Sequence, residues 1–368
     1  MTMGLALPAE RMLGAAPMKT ATLPKDAAEN TKLWQETHFR HYAELANQQN
    51  MLEDTTRTGA YHDAFLHNRA DFEGKVVLDV GAGSGILSLF AARAGAARVY
   101  AVEATAMAEN ARTLVAANGL AGQVTVLRGD IAEVEVPEAV DTIVSEPLGV
   151  FLFHEGMLDA YVTARDRFLR PGGRMFPESA KLYVAPFTDA DVFHGWQSWA
   201  RFWEQKRFFG CDLSALASFA FTDAFAMPVV GPMAAEGLLA AAVCHPVDFL
   251  HVSHEALARV EVPFAFELSS SGTLHGLGSW FTASLSGSVH AEELSTAPNS
   301  DRTHWYQTRF LFSEPVPALA GQKLVGRLTA SKNVSCSYDV RIEAQLEGSG
   351  WQVDQRYELE RHRYWWGK

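Results

Sequence analysis

Two acids carry the clearest chemical potential in this chain. Glu146 and Glu155 stand at opposite ends of an apolar stretch, in Ser145-Glu146-Pro147-Leu148-Gly149-Val150-Phe151-Leu152-Phe153-His154-Glu155-Gly156-Met157-Leu158. A pair of carboxylates in fork geometry binds a planar cation through charge-assisted hydrogen bonds. Taken alone, Glu155 reads equally as a first-turn helix acid favoured by the helix dipole. Glu146, beside Pro147 and Leu148, has no obvious structural need. A second constellation lies upstream, in Val77-Leu78-Asp79-Val80-Gly81-Ala82-Gly83-Ser84-Gly85. Its glycines, Gly81 and Gly83 among them, permit a tight turn and let a ligand approach the backbone. Glu103, at the end of the next expected strand, is placed to accept hydrogen bonds from both ribose hydroxyls of a nucleoside.

The loop also discriminates between cofactors. A dinucleotide fingerprint reads Gly-x-Gly-x-x-Gly, with a third glycine beside the pyrophosphate. Here the run is Gly-x-Gly-x-Gly followed by Ile86-Leu87. Asp79, near the strand end, would repel a pyrophosphate and tolerate a cationic ligand. S-adenosylmethionine, a sulfonium without a pyrophosphate, fits better than a nicotinamide dinucleotide.

The elements that must hold these residues alternate regularly. Strands are expected at Val76–Val80, Val99–Val102, Val124–Leu127 and Thr142–Val144. Helices are expected at Ile86–Ala94, Met107–Ala117 and about Glu155–Leu169, the last stopping at Pro171-Gly172-Gly173. The sequence from Leu33 to Asp54 also looks helical. This half reads as an α/β, Rossmann-like domain. After Phe176-Pro177 the texture changes to short β-branched or aromatic runs at 181–187, 259–268, 273–285, 305–312, 323–330 and 338–346. Such runs argue for an antiparallel barrel or sandwich. The expected layout is a disordered leader at 1–30, a cofactor-binding domain at 31–178 and a β-barrel substrate domain at 179–368. Between Asp191 and Phe209, seven aromatics crowd one expected helix. They read either as a core helix or as an arm, about 188–226, whose apolar face needs a second subunit.

Composition narrows the class. The chain has 368 residues, 48% of them hydrophobic, and a formal charge of −12. That length allows two domains. The charge disfavours direct nucleic-acid binding and suits a cationic partner. No apolar run is long enough for a membrane-spanning helix, since the richest, around 227–250, is broken by Pro228, Pro232 and Pro246. Cys211, Cys244 and Cys336 lie far apart, with neither zinc spacing nor a disulfide framework, so an intracellular compartment is expected, cytoplasmic or nuclear. Arg11, Lys19 and Lys25 would suit a transit peptide, but Pro8, Glu10 and Pro17 spoil its amphipathic pattern.

Taken together, these motifs resemble the protein arginine methyltransferase family. The shared features are the glycine loop, the double-glutamate loop, Thr303-His304-Trp305, and Asn47-Gln48-Gln49-Asn50-Met51-Leu52-Glu53-Asp54 followed by Arg57-Thr58-Gly59. Ser145-Glu146-Pro147 and Ser295-Thr296-Ala297-Pro298 are most similar to the coactivator-associated, type I branch. The resemblance runs from about 34 to 346 and implies a fold with a helical dimerisation arm. It implies that Arg57 pairs with the carboxylate of S-adenosylmethionine, that Gln48 touches its methionine moiety, and that Gly81 lies beneath it. Glu103 would hold the ribose, with Asp79, Gly83 and Ile131 also at the cofactor. Glu146 and Glu155 would clamp the substrate guanidinium, supported by Tyr42. His304 would line the acceptor pocket with Trp305, and Met51 and Met157 would shape the space around the methyl groups. Three positions depart from the pattern: His38 replaces a lid tyrosine, Ala132 an adenine-binding glutamate, and Val150 a tyrosine.

The activity so implied is methyl transfer to protein arginines, giving monomethyl- and asymmetric dimethylarginine. Histone tails or RNA-binding proteins are the implied substrates and a homodimer the implied assembly, with no metal and no membrane. Arginine is protonated at any physiological pH, so its nitrogens need the two acids to draw charge away before one can attack a methyl group. His304 or a glutamate would then take the proton. Two other readings are a small-molecule methyltransferase and an inactive dimeric scaffold, the latter suggested by His38 and Ala132.

Overall fold

The structure is a computed structural model, and it describes residues 39–365. Helices α1 (Leu45–Glu53) and α2 (Thr55–His67) lead into a parallel sheet. Its strands are β1 (Val76–Val80), β2 (Arg98–Glu103), β3 (Val124–Arg128), β4 (Val140–Ser145) and β5 (Leu169–Phe176), in the order β3-β2-β1-β4-β5. Helices α3 (Ile86–Arg93), α4 (Met107–Ala117) and α5 (Met157–Phe168) connect and cover them. Cover on both faces explains why β1 and β4 are buried at every position, polar Asp79, Asp141 and Thr142 included. Strand order reverses between β1 and β4. A crevice therefore opens beyond their carboxyl ends, where α/β sheets hold ligands.

Two expected boundaries move. Helix α5 begins at Met157, and Gly156 before it is left-handed, so Glu155 is a loop residue and not a first-turn acid. The helix stops at Phe168, and Pro171-Gly172-Gly173 lies inside edge strand β5, where the register with β4 shifts. An edge strand tolerates proline because one side needs no ladder donor.

The later strands form two antiparallel sheets. The larger has the order β16-β7-β12-β10-β6-β8, with β11 on β10 and β16 joining β7 in parallel. It contains β6 (Ser179–Phe187), β7 (Val229–Gly231), β8 (Val243–Asp248), β10 (Gly272–Ser284), β11 (Glu293–Ser295), β12 (Gln307–Ala318) and β16 (Arg363–Tyr364). The smaller has the order β15-β14-β13-β9, from β9 (Arg259–Glu267), β13 (Lys323–Lys332), β14 (Tyr338–Leu346) and β15 (Gln352–Glu358). Among the described residues no ladder closes these sheets into the barrel expected from strand spacing. Short alternating strands are compatible with either arrangement, and here side chains bridge the gap: Gln355 of β15 bonds to Ser313 and Leu311 of β12. Strict alternation in β9 puts Val260, Val262, Phe264 and Phe266 into the core and charged residues out. One apolar core runs continuously through the parallel sheet and both antiparallel sheets.

The aromatic segment serves two masters. Asp189 caps helix α6 (Ala190–Ala200) by accepting the Val192 N–H at 3.0 Å. Phe193 and Trp196 pack into a second apolar cluster with Phe225 of α7 (Ala217–Phe225). Trp199, Phe202, Phe209 and Phe219 face outward, Phe209 at 93% exposure and Phe219 at 71%. No helix among the described residues is long and apolar enough to cross a membrane.

Candidate active site

Where β1 and β4 end side by side, their loops face each other across a cleft of about 270 Å³. Helix α1, the start of α2, the 303–306 loop and Tyr364 of β16 complete its walls. The glycine loop forms one side. Gly81, Gly83 and Gly85 have φ of +69°, +53° and +86°, a region costly for any residue with a Cβ. A Cβ on Gly81 would lie 2.7 Å from Met157 Cε, and one on Gly83 would lie 2.6 Å from Gln48 Oε1. The loop is thus glycine for both conformation and space.

Glu103, at the end of β2, binds this loop from below. Its Oε2 accepts the Gly83 N–H and its Oε1 the Thr105 N–H, each at 2.8 Å. Since each carboxylate oxygen has two lone pairs, acceptor capacity remains for a ligand. Gln48 is buried in α1 and accepts the Ser84 N–H at 3.0 Å while donating to the Tyr42 carbonyl at 3.2 Å. It ties α1 to the glycine loop.

Across the cleft stand the two acids. Glu146 Oε1 accepts the Leu148 N–H, and Oε2 accepts from Arg57 Nε at 3.1 Å and Nη2 at 3.0 Å. Arg57 is buried and the Glu146 side chain is only 10% exposed. Glu155 has φ of +78°, between Leu152 at +67° and Gly156 at +72°. A left-handed non-glycine residue costs on the order of 1–3 kcal/mol and persists where its surroundings over-determine it. Tyr42 donates to Glu155 Oε2 at 2.6 Å. Burial pushes the Glu155 carboxyl up to about 7; the Tyr42 hydrogen bond opposes this and the Glu146 charge adds to it. Burial, and then the Glu155 charge, hold the Tyr42 hydroxyl well above its usual value.

The strained loop is anchored from the antiparallel side. Phe151, Leu152 and Phe153 are buried; Phe151 meets Phe310 edge-on and Phe153 packs on Tyr338. Trp305 Nε1 donates to the Leu148 carbonyl at 2.9 Å, and the His154 ring pairs with Ser337 Oγ at 2.8 Å. Asp54 connects the remaining wall. Its Oδ1 caps α2 by accepting the Arg57 N–H at 2.9 Å, and its Oδ2 meets the His304 N–H at 2.8 Å and ring Nδ1 at 2.7 Å. Burial alone would raise the Asp54 carboxyl, but the His304 ring and these two amides together hold it below its usual range.

The cleft brings together Tyr42, Gln48, Met51, Arg57, Gly81 and Gly83 with Glu103, Glu146, Glu155, Met157, His304 and Trp305. Two expected cofactor residues do not line it. Asp79 is fully buried beneath the loop, accepting from Ser88 Oγ at 2.6 Å, and burial raises it to about 7 against that hydrogen bond. Ile131 packs into the core, and Ala132 and Glu133 are exposed outside the cleft. Arg57, expected on a cofactor carboxylate, lines the cleft and pairs with Glu146, the anion within its reach here. His38 and the 1–30 leader lie outside the described residues. Sequence reading missed Asp54, Thr105, His154 and Tyr364. Asp54 alone had a local signal, a capping residue between two helical stretches; the others reach the cleft only through the tertiary fold.

Comparison with known proteins agrees with this arrangement. Residues 178–349 match the family model of an arginine methyltransferase oligomerization subdomain, and residues 77–173 that of a methyltransferase domain. The chain is 46% identical over 316 residues to a rice protein named "Probable histone-arginine methyltransferase CARM1", covering 85% of this chain and 60% of that one. It is 43% identical to "Histone-arginine methyltransferase CARMER" of Culex quinquefasciatus, covering 85% and 52%. It therefore spans roughly half to 60% of these relatives' length. Among solved structures, the Trypanosoma brucei PRMT1 enzyme-prozyme heterotetrameric complex with AdoHcy superposes at a TM-score of 0.79, with 31% identity over 86% of this chain and 99% of that one. An open conformation of Arabidopsis thaliana protein arginine methyltransferase 10 gives 0.78 and 33%, over 87% and 99%.

Proposed function

This chain belongs to the protein arginine methyltransferase family, and from that premise we propose that it transfers methyl groups from S-adenosylmethionine to arginine guanidinium groups of other proteins, giving monomethyl- and asymmetric dimethylarginine. The observation that carries this reading is the convergence of Glu146 and Glu155 on the cleft floored by the glycine loop. Histone tails or RNA-binding proteins are the proposed substrates, the assembly a homodimer, and the compartment intracellular. Residues 31–178 are read as the donor-binding domain and 179–368 as the substrate domain, its dimerisation arm at about 188–226.

The residues present fit a nucleoside sulfonium donor. The space over Gly81 and Gly83 is already closed to any Cβ, Glu103 offers a carboxylate fixed on the loop by the Gly83 amide, and the cleft carries Glu103, Glu146 and Glu155, as a cation requires. Gln48 and Gly81 would hold its methionine end, and Glu103 with Thr105 its ribose. When bound, the donor supplies an electrophilic methyl group.

The chain's own residues do the rest. Arg57 balances the charge of Glu146 and fixes its direction, so that the acid is aimed before substrate enters. Tyr42 does the same for Glu155. An incoming guanidinium spans the two carboxylates, which attract its positive charge toward the nitrogens they touch and leave electron density on the remaining nitrogen. Trp305 and the 303–306 loop hold the double-glutamate loop at the mouth. Glu155, with its raised affinity for a proton, is one acceptor for the proton released as the new N–C bond forms; His304, oriented by Asp54, is the alternative.

The test is incubation of the full chain with isotope-labelled S-adenosylmethionine and an arginine peptide library, followed by mass spectrometric separation of the product isomers. Asymmetric dimethylarginine is expected. Symmetric product alone overturns the type I assignment, and donor binding with no transfer to any peptide overturns the enzymatic reading in favour of a scaffold.

A further inference from the structure

Away from the cleft, at the far end of α2, three side chains with metal-ligating atoms meet. His67 ends the helix, and His290 and Glu292 belong to the connection between β10 and β11. One ligand atom from each lies within 4.8 Å of the other two. His290 Nε2 is 3.3 Å from Glu292 Oε2, and the two imidazoles meet edge-on with centroids 4.7 Å apart. We propose that His67, His290 and Glu292 bind a divalent transition-metal ion, with Zn2+ the best fit, pinning the end of α2 to the β10–β11 connection.

The chemistry of the donors selects the ion. Two neutral imidazoles and one carboxylate form a borderline set that suits zinc and its neighbours and leaves a fourth position for water. Magnesium and calcium prefer all-oxygen sites. Ligand atoms around a tetrahedral zinc lie about 3.3 Å apart, given metal–ligand bonds of roughly 2.0–2.1 Å. The His290–Glu292 pair already has that spacing. The His67 ring, exposed at a helix end, has its ligand atom within 4.8 Å of the other two and closes the remaining gap of at most about 1.5 Å by side-chain rotation.

What raises this above a chance surface cluster is the rigidity beneath it. Asn68, adjacent to His67 and fully buried, accepts the backbone N–H groups of Val289 at 3.0 Å and His290 at 2.7 Å. The same side chain donates to the His290 carbonyl at 3.0 Å. Buried Asp71 takes both the N–H and the hydroxyl of Ser288, at 2.7 and 2.8 Å. A Cβ on Gly287 would lie 2.4 Å from Asn68 Cγ, so the connection fits against this side chain as glycine only. Four hydrogen bonds to backbone groups of residues 288–290 and a fifth to the Ser288 hydroxyl thus lock the connection carrying His290 onto side chains next to His67, and ordering the ligands loses less entropy than on a free loop. The site is also placed to matter, because α2 carries Arg57 at its other end and packs on the glycine-loop helix α3.

Isothermal titration of untagged, chelator-stripped full-length chain with Zn2+ tests the proposal. One site per chain with a dissociation constant of about 10 μM or tighter is expected, weakened at least about tenfold in His67→Ala and in His290→Ala. Addition of Zn2+ should raise the melting temperature of the wild type and leave that of the double variant unchanged. Co2+ in place of Zn2+ should give the visible absorption of a four-coordinate centre, lost in the same variants. His67→Gln, which keeps size and polarity at this exposed position, guards against misreading a folding defect. Stoichiometric binding of equal strength in the double variant would place the ion elsewhere, and no binding at about 100 μM Zn2+ would sink the proposal outright.

Discussion

Glu155 works against folding twice, once through its left-handed backbone and once through a charge buried beside Glu146. Its folded value of about 7 stands above the ordinary carboxylate value of 4.5. The protonated form is therefore the stable one. This contribution is fully present below about pH 4.5 and is lost as pH rises through 7. Glu155→Gln keeps the shape and an acceptor for Tyr42 while removing the charge. We expect turnover to fall at least about 100-fold, while the melting temperature at pH 8, read by calorimetry, stays level or rises. A variant that loses activity only because it melts early contradicts this assignment. A pH profile gives a second check. With the carboxylate as the working form, kcat/KM should climb from pH 6 and level off, with a midpoint near 7. The midpoint of kcat should be lower, since a bound guanidinium favours the ionised acid. A flat profile between pH 6 and 8 excludes Glu155 as a group that must lose its proton.

At the scale of elements, the site depends on ties between parts far apart in the chain. Asp54 stands between α1 and α2, and its carboxylate ties the start of α2 to the 303–306 loop along one wall of the cleft. Its folded value is depressed, so this stabilisation is present above the ordinary aspartate value of 3.8 and fades as pH falls through the lower, folded one. Asp54→Ala removes a helix cap and leaves the His304 amide without its acceptor, and should cost about 1–3 kcal/mol. Thermal denaturation should show the loss, and binding of S-adenosylhomocysteine should weaken severalfold by calorimetry; unchanged binding would show that the cleft does not depend on this tie. Four of the five parallel strands and their helices were legible because their apolar runs and glycine punctuation are local; β5 was not, since Pro171-Gly172-Gly173 inside it reads as a helix stop. The start of α5 was not. The reason lies in Phe151, Leu152 and Phe153, whose burial against the antiparallel core draws the loop into left-handed geometry up to Gly156.

For the whole molecule, the outward aromatics of the α6–α7 region are the largest unfinished feature. Trp199, Phe202, Phe209 and Phe219 remain exposed while their neighbours Phe193 and Trp196 are buried, and the segment lies inside the region that matches an oligomerization subdomain. Sedimentation of the full chain should show a dimer, and Phe209→Ser combined with Phe219→Ser should shift it to monomer without altering the circular dichroism spectrum. A wild-type monomer at micromolar concentration rules out the arm. The glycine loop, the two acids of the loop after β4 and the alternation of strand and helix were decided by the sequence itself. Each is a local pattern, although Glu155 by itself also suits the first turn of a helix. Whether the aromatics of α6 face inward or outward, which anion Arg57 would meet, that Asp79 would be a buried support, and that two antiparallel sheets would pack without closing were decided only in three dimensions. Those outcomes depend on which surfaces are left after the core has formed, and no single stretch of chain contains that information.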